Sequence, residues 1–126
     1  MSRLVVDDLH FSRDGTPILR GVALEHETGR VLTLLGPSGS GKTTLLWLLA
    51  GLLRPDSGRI DFRSDEVSKS IGFVFQDGGL WEHLTVRGHL DIVLRGRNLA
   101  RRERDDRIDR VLRDTGLAGF AKRRPG

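Results

Sequence analysis

Residues 36–44 read Gly36-Pro37-Ser38-Gly39-Ser40-Gly41-Lys42-Thr43-Thr44, and no other stretch of the chain constrains its fold as tightly. The pattern is G-x-x-x-x-G-K-[ST] followed by a second Thr, the spacing of a phosphate-binding loop. Each position has a physical reason. Gly36, Gly39 and Gly41 let the backbone wrap closely around an anion. Successive N–H groups then face one concavity. A helix starting at the end of the loop adds the partial positive charge of its N-terminus. Lys42 has the length and charge to reach a β- or γ-phosphate, and the Thr43 hydroxyl suits a Mg²⁺ ion.

The flanks agree with that reading. Val31-Leu32-Thr33-Leu34-Leu35 is a short apolar run, as expected for a buried parallel strand. Thr43 to Leu53 is rich in Leu and Ala and free of Pro, which predicts a buried helix. Arg54-Pro55-Asp56-Ser57-Gly58 supplies turn chemistry to end it. Strand, glycine loop and helix, in that order, are what the motif needs. A Gly/Ser linker that happens to hold Lys and Thr would lack these flanks.

The 126 residues, 37% hydrophobic and 30% charged, predict about one domain of ordinary composition, large enough to bury a core. Cys is absent, which excludes a disulfide framework and a thiolate metal site. No apolar stretch approaches the roughly 20 residues of a membrane helix. The start, Met1-Ser2-Arg3-Leu4, has no signal-peptide apolar region, and the expectation is a cytoplasmic protein. Net charge is +4 but uneven. Residues 95–124 carry eleven Arg/Lys against five Asp/Glu, a surplus of six, leaving −2 for the rest. A basic tail could meet nucleic acid or an anionic surface. A solvated helix face explains it better, because Glu103–Arg107, Asp106–Arg110 and Asp109–Arg113 are acid-then-base pairs at i, i+4. Residues 82–119 hold no aromatic side chain on which a base could stack.

Along the chain, Leu4-Val5-Val6 and Leu9-His10-Phe11 suggest a first strand broken at Asp7-Asp8. Asp14-Gly15-Thr16-Pro17 predicts a turn. Ile18 to Leu24 predicts a second strand, with Gly21 at a bulge, and Thr28-Gly29 a further turn. Arg59-Ile60-Asp61-Phe62 is a short strand by its alternation. Ile71-Gly72-Phe73-Val74-Phe75 is a second buried-strand candidate, ending at Gln76. Beyond it, Thr85 can cap a helix whose face carries Leu90, Val93 and Leu94. After a break near Gly96, a second amphipathic helix is expected over about 101–115, with Ile108, Val111 and Leu112 on one side. Gly116 and Gly119 mark its end.

Two segments resemble the ATP-binding subunit of ABC transporters. One runs from Leu19-Arg20-Gly21-Val22 through the loop at 36–44 to Ala50-Gly51-Leu52-Leu53-Arg54-Pro55-Asp56-Ser57-Gly58, whose Pro-x-Ser-Gly ending is far more particular than the loop alone. The other is Ile71 to Asp77 followed by Leu80-Trp81-Glu82-His83-Leu84-Thr85-Val86. The resemblance implies an α/β fold, a partial P-loop ATPase domain. It would have an antiparallel N-terminal β-subdomain, an incomplete parallel core sheet around 31–35 and 71–75, and a helical C-terminal piece. Residues 1–76 would form the β-subdomain, loop core and Q-loop strand of one partial domain, and 77–126 the start of its helical subdomain.

The same resemblance assigns roles. Residues 36–44 would be the Walker A motif binding ATP. Gln76 would be the Q-loop glutamine, contacting Mg²⁺ and the attacking water; a neutral carboxamide both accepts and donates there. Thr43 and Gln76 would thus ligate the metal. Residues 77–95 would dock on a transmembrane subunit, with the protein peripheral on the inner face of the membrane. Trp81 would pack there or serve as a satellite core residue. Counting back from Leu19 puts Arg13 where the family stacks adenine on an aromatic ring, with Phe11 two residues earlier; a planar guanidinium can also stack. Gly88 stands where the family often has an acidic residue. The family's signature Leu-Ser-Gly-Gly-Gln is expected just past Pro125-Gly126, and its Walker B carboxylates and switch His later still. None lies within this chain, and His83 and His89 are not read as the switch.

Three readings follow. The first is the ATP-binding half of a transporter ATPase domain, unable to hydrolyse ATP alone and paired with a second ATP-binding subunit in the complete protein. The second is a non-catalytic nucleotide-binding module, or an inert fragment. The third is a small P-loop kinase, which takes Asp77 as metal ligand because Phe73-Val74-Phe75-Gln76-Asp77 also looks like an apolar strand ending in a carboxylate.

Overall fold

The computed structural model describes residues 3–27, 29–63 and 71–126, in two compact units, 1–73 and 74–126. In the first, β1 (Arg3–Arg13), β2 (Thr16–Glu27) and β3 (Ser57–Arg63) form an antiparallel sheet in the order β2-β1-β3, and α1 (Lys42–Leu49) follows the glycine loop. Thr28, expected in a turn, lies outside the described residues.

The expected break at Asp7-Asp8 is a bulge inside one continuous strand. The apolar residues of β1 sit at 4 and 6, then at 9 and 11. A regular strand would send these two pairs to opposite faces. Asp8, at φ 45°, shifts the phase by one residue and returns Leu9 and Phe11 to the face of Leu4 and Val6. On β2 the same correction falls at Gly21, φ 67°. The register records both, pairing Val6 with Leu24, Leu9 with Val22 and Phe11 with Leu19. The outcome is a single apolar face, in which Val6, Leu9, Phe11 and Leu19 bury against Leu45 and Leu48 of α1. Leu9 is completely buried, which is worth about 1.5–3 kcal/mol for a side chain of this size.

β3 is longer than the 59–62 alternation suggests, because Asp56 and Gly58 stitch its start to β1. The Asp56 N–H donates to His10 O at 2.9 Å, and its carboxylate accepts from Ser12 N–H at 2.6 Å. Gly58 crosses the β1 bulge so closely that a Cβ would stand 2.3 Å from Asp8 O. The Pro55-Asp56-Ser57-Gly58 segment is therefore a strand-docking device as well as a turn.

α1 is shorter than the 43–53 expectation. Gly51 adopts φ 72°, Leu52 N–H donates to Trp47 O and Gly51 N–H to Leu48 O. This is a Schellman closure, and it stops the helix before Leu53.

The runs 31–35 and 71–75 are not strands here, a correction to the expected parallel layer. Among the described residues the sheet consists of β1, β2 and β3, and neither run belongs to it; an apolar composition records a preference for burial and does not by itself fix strand geometry. Val31 is 95% exposed and Val74 88%. Leu34 alone of the first run packs against the core.

In the second unit α2 (Val86–Arg95) and α3 (Arg101–Asp114) pack together, followed by a short 3-10 turn at Ala118–Phe120. Ile108 and Leu112 are buried as the periodicity predicts, while Val93 and Val111 are exposed. A second Schellman closure ends α3: Gly116 has φ 70°, Leu117 N–H bonds Leu112 O and Gly116 N–H bonds Arg113 O. The first three N–H groups of α2 all find acceptors. Val86 N–H donates to Arg123 O and Arg87 N–H to Ala121 O. Gly88 N–H donates to the Thr85 hydroxyl at 3.1 Å, the cap expected from the sequence.

Charge joins α2 to α3. Arg87 donates to Asp105 at 2.8 Å and to Asp109. Asp91 faces Arg95 and, across the helix pair, Arg104 at 2.9 Å. Glu103–Arg107 forms as predicted. Asp109 turns to Arg87 instead of Arg113, because a partner on the facing helix offers a fork with two carboxylates.

Candidate nucleotide-binding site

The loop at 36–44 follows the 31–35 run and leads into α1, and its geometry follows from its glycines. Gly39 (φ 81°) and Gly41 (φ 90°) occupy the left-handed region that side-chained residues avoid. Gly41 is doubly constrained, since a Cβ there would lie 2.8 Å from Leu19 Cδ2. The loop is thus seated against Ile18 and Leu19 of β2, where a side chain would have to displace the Leu19 tip and adopt a left-handed backbone.

Lys42 is held over the loop. Its ammonium donates to Gly36 O at 2.9 Å, Pro37 O at 2.6 Å and Ser40 Oγ at 3.2 Å. Ser40 N–H bonds Pro37 O and Leu45 N–H bonds Gly41 O. The N–H groups of Gly39, Gly41, Lys42, Thr43 and Thr44 have no acceptor among the described residues. They form a set of unspent donors at a helix N-terminus, interrupted only at Ser40, next to a fixed positive charge. Such a set suits a multiply charged oxyanion. Pro37, Ser38 and Thr43 are exposed, Thr43 in the first turn of α1, while the following Thr44 is buried.

These residues fit the phosphates of ATP. They also fit Mg²⁺ held jointly by a hydroxyl and phosphate oxygens, the usual habit of that ion. Among the described residues no group of three or more His, Asp or Glu could bind a metal unaided.

Arg13 ends β1, with its guanidinium 5.8 Å from the centre of the Trp47 ring on α1. Its planar face is engaged with an indole of the chain itself. That contact was not read from the sequence; Trp47, four residues past Thr43, was the available signal.

Gln76 belongs to the second unit, apart from the loop's unit. It is exposed, in a turn closed by Gly78 N–H to Phe75 O at 3.1 Å. Asp77 accepts from Gly79 N–H at 3.2 Å, an Asx turn that accounts for this carboxylate without a metal. Within the first unit the structure assembles 36–44 as one constellation.

The comparison with family models decides the family: the ABC transporter model matches residues 19–126. This chain belongs to the ABC transporter ATP-binding family. It is 42% identical over 115 residues to the sulfate/thiosulfate import ATP-binding protein CysA of Mycobacterium tuberculosis, a match covering 82% of this chain and 33% of that protein. It is 37% identical over 126 residues to the Fe(3+) ions import ATP-binding protein FbpC of Mannheimia succiniciproducens, covering 95% and 36%. Among solved structures, cbiO1 of Clostridium perfringens, part of the ABC transporter complex cbiONQ, aligns with a TM-score of 0.74 at 31% identity, covering 96% of this chain and 53% of that one. The α/β partial P-loop fold is shared. The chain spans about a third of the length of the curated relatives it matches. No described helix is long and apolar enough to cross a membrane.

Proposed function

We propose that this chain is the ATP-binding component of an ABC importer, and that its loop at 36–44 holds the nucleotide's phosphates. The observation that carries the reading is the pairing of five unspent N–H donors with the Lys42 ammonium pinned over them. Thr43 and Gln76 are the residues proposed to hold Mg²⁺, and Arg13 with Trp47 to meet the adenine. Mg²⁺ when bound neutralises phosphate charge. This chain's residues bind and orient: the loop amides fix the phosphate oxygens, and Lys42 adds the counter-charge. The printed names of the relatives agree on import but differ in solute, so they support import and no particular cargo. Residues 77–95 are proposed to face transmembrane subunits, with Leu80, Trp81 and Val93 exposed on that stretch. A second ATP-binding subunit and a peripheral place on the inner membrane face belong to the same proposal for the complete protein.

The 126-residue chain alone is expected to bind Mg-ATP and to hydrolyse it negligibly. Titration calorimetry on the chain and on Lys42→Ala tests the binding. Loss of a hydrogen bond to a charged group is worth about 1.5–3 kcal/mol, so affinity should fall roughly 10- to 100-fold. An unchanged affinity sinks the assignment of the loop. Turnover within the usual enzyme range of about 1–1,000 per second, abolished by Lys42→Ala, sinks the claim that the chain only binds.

A further inference from the structure

One histidine in the second unit has its protonation state dictated by two backbone groups. His89, one turn into α2, places Nδ1 2.8 Å from Thr85 O and Nε2 2.8 Å from Trp81 N. A carbonyl oxygen only accepts, so Nδ1 carries the hydrogen. A backbone N–H only donates, so Nε2 is bare. The neutral Nδ1–H tautomer is the one form that satisfies both partners. Three hydrogen bonds in the preceding loop close within three residues: Gly78 to Phe75, Leu84 to Trp81 and Gly79 to the Asp77 side chain. The His89 bond instead ties the loop to the helix. Its ring also stacks on the Trp81 indole at 6.2 Å, and His83 stacks on the same indole at 6.3 Å.

We propose that His89 is the positioning residue for the 77–84 loop, fixing the half-exposed Trp81 through its bare Nε2, and that a proton added there releases the loop. Protonation turns the acceptor into a donor pointing at another donor. The loop's own carboxylates are Asp77, whose side chain accepts from Gly79 N–H, and Glu82, next to Trp81. On α2 the positions one turn away are Thr85, Val86, Ile92 and Val93, none ionisable. His83 faces the same indole. The C-terminal segment contributes the carbonyls of Ala121 and Arg123 to the helix start, and the Arg123 guanidinium lies over Phe120 at 4.8 Å. No carboxylate among the described residues lies within ion-pair distance of His89. The device stands on the geometry of the second unit and does not depend on nucleotide or on a transporter partner.

The test uses the full 126-residue chain carrying Trp47→Phe, which leaves Trp81 as the single tryptophan. Its fluorescence is followed between about pH 8 and 5, the range over which imidazoles change charge. Long-range ¹H–¹⁵N spectra report the tautomer. The expected result is the Nδ1–H tautomer at the alkaline end and one fluorescence transition on acidification. His89→Gln, which keeps a donor and an acceptor but takes up no proton, should lose the transition and keep the alkaline emission. His89→Ala should show the acid-form emission throughout. His83→Gln should retain the transition. A transition that survives His89→Gln, one that vanishes with His83→Gln, no transition in the parent, or an Nε2–H tautomer at the alkaline end each overturns the proposal.

Discussion

In the first unit six apolar side chains, from Val6 on β1 to Leu48 on α1, are buried in one cluster. In the second, only Ile108 and Leu112 are buried among the described residues, and the helices meet through Arg87, Asp91, Arg104, Asp105 and Asp109. The first unit therefore rests mainly on burial, which involves no charge of its own. The second rests on caps, backbone closures and half-exposed charge, each of which is small and condition-dependent. The division suits the proposed roles: a loop that holds phosphates needs a rigid seat, and a helical piece that meets partners needs a shallow energy well. The two tryptophans fall one to each unit, Trp47 on α1 and Trp81 ahead of α2, so each can be watched separately.

The sharpest way to break the comparison is Leu9→Ala. Leu9 is completely buried beneath both bulges, and deletions of this kind cost about 2–5 kcal/mol. Denaturant melts followed at Trp47 should shift by that amount, while the Trp81 signal moves little. Equal shifts at both tryptophans would mean that the two units unfold as one. Next in size is Thr85→Ala, which removes the cap on Gly88 N–H and should cost about 1 kcal/mol. Helix content by circular dichroism and Trp81 emission should register it, with Trp47 unchanged. The smallest effect is acidification. Asp91 is held below its ordinary value of 3.8, first by the hydrogen bond from Arg95 and then by the nearby charges of Arg95, Arg104 and Arg87. Its contribution is present above that ordinary value and is lost as pH falls through the depressed one. The Arg87 guanidinium is raised, chiefly by Asp109 and then Asp105, so its share persists through all lower pH until the carboxylates protonate. Acid titration should loosen the second unit before the first, and raised salt should blunt the difference. A first unit that loosens at the same pH would remove the contrast.

Local chemistry was legible in the sequence wherever a residue type has one job. Gly41-Lys42-Thr43, the Thr85 cap and the Gly116 stop can be read singly, and each stands where the pattern puts it. The faces of α3 were equally plain from Ile108 and Leu112. What required the structure was any property set by two distant segments. Asp8 looked like a break because its corrective partner, Gly21, lies on another strand. Asp109 looked like the partner of Arg113 until α2 brought Arg87 within reach. The apolar runs 31–35 and 71–75 read as strands because composition records a preference for burial and does not fix backbone conformation. Of the site, 36–44 was complete in the sequence; the Arg13–Trp47 stack was not, since it joins the end of a strand to the middle of a helix.

The order β2-β1-β3 has a consequence for how the molecule comes into being. β1 is made first yet lies in the centre, so its second edge waits until Ser57–Arg63 has been synthesised. The glycine loop and α1 emerge in that interval, with half a sheet to pack against and with Ile60, which joins the core, still to come. Closing so long a connection costs entropy before the pairing returns any of it. On the ribosome, where a chain grows at about 5–20 residues per second, the phosphate loop would exist for seconds as a sequence before it exists as a site.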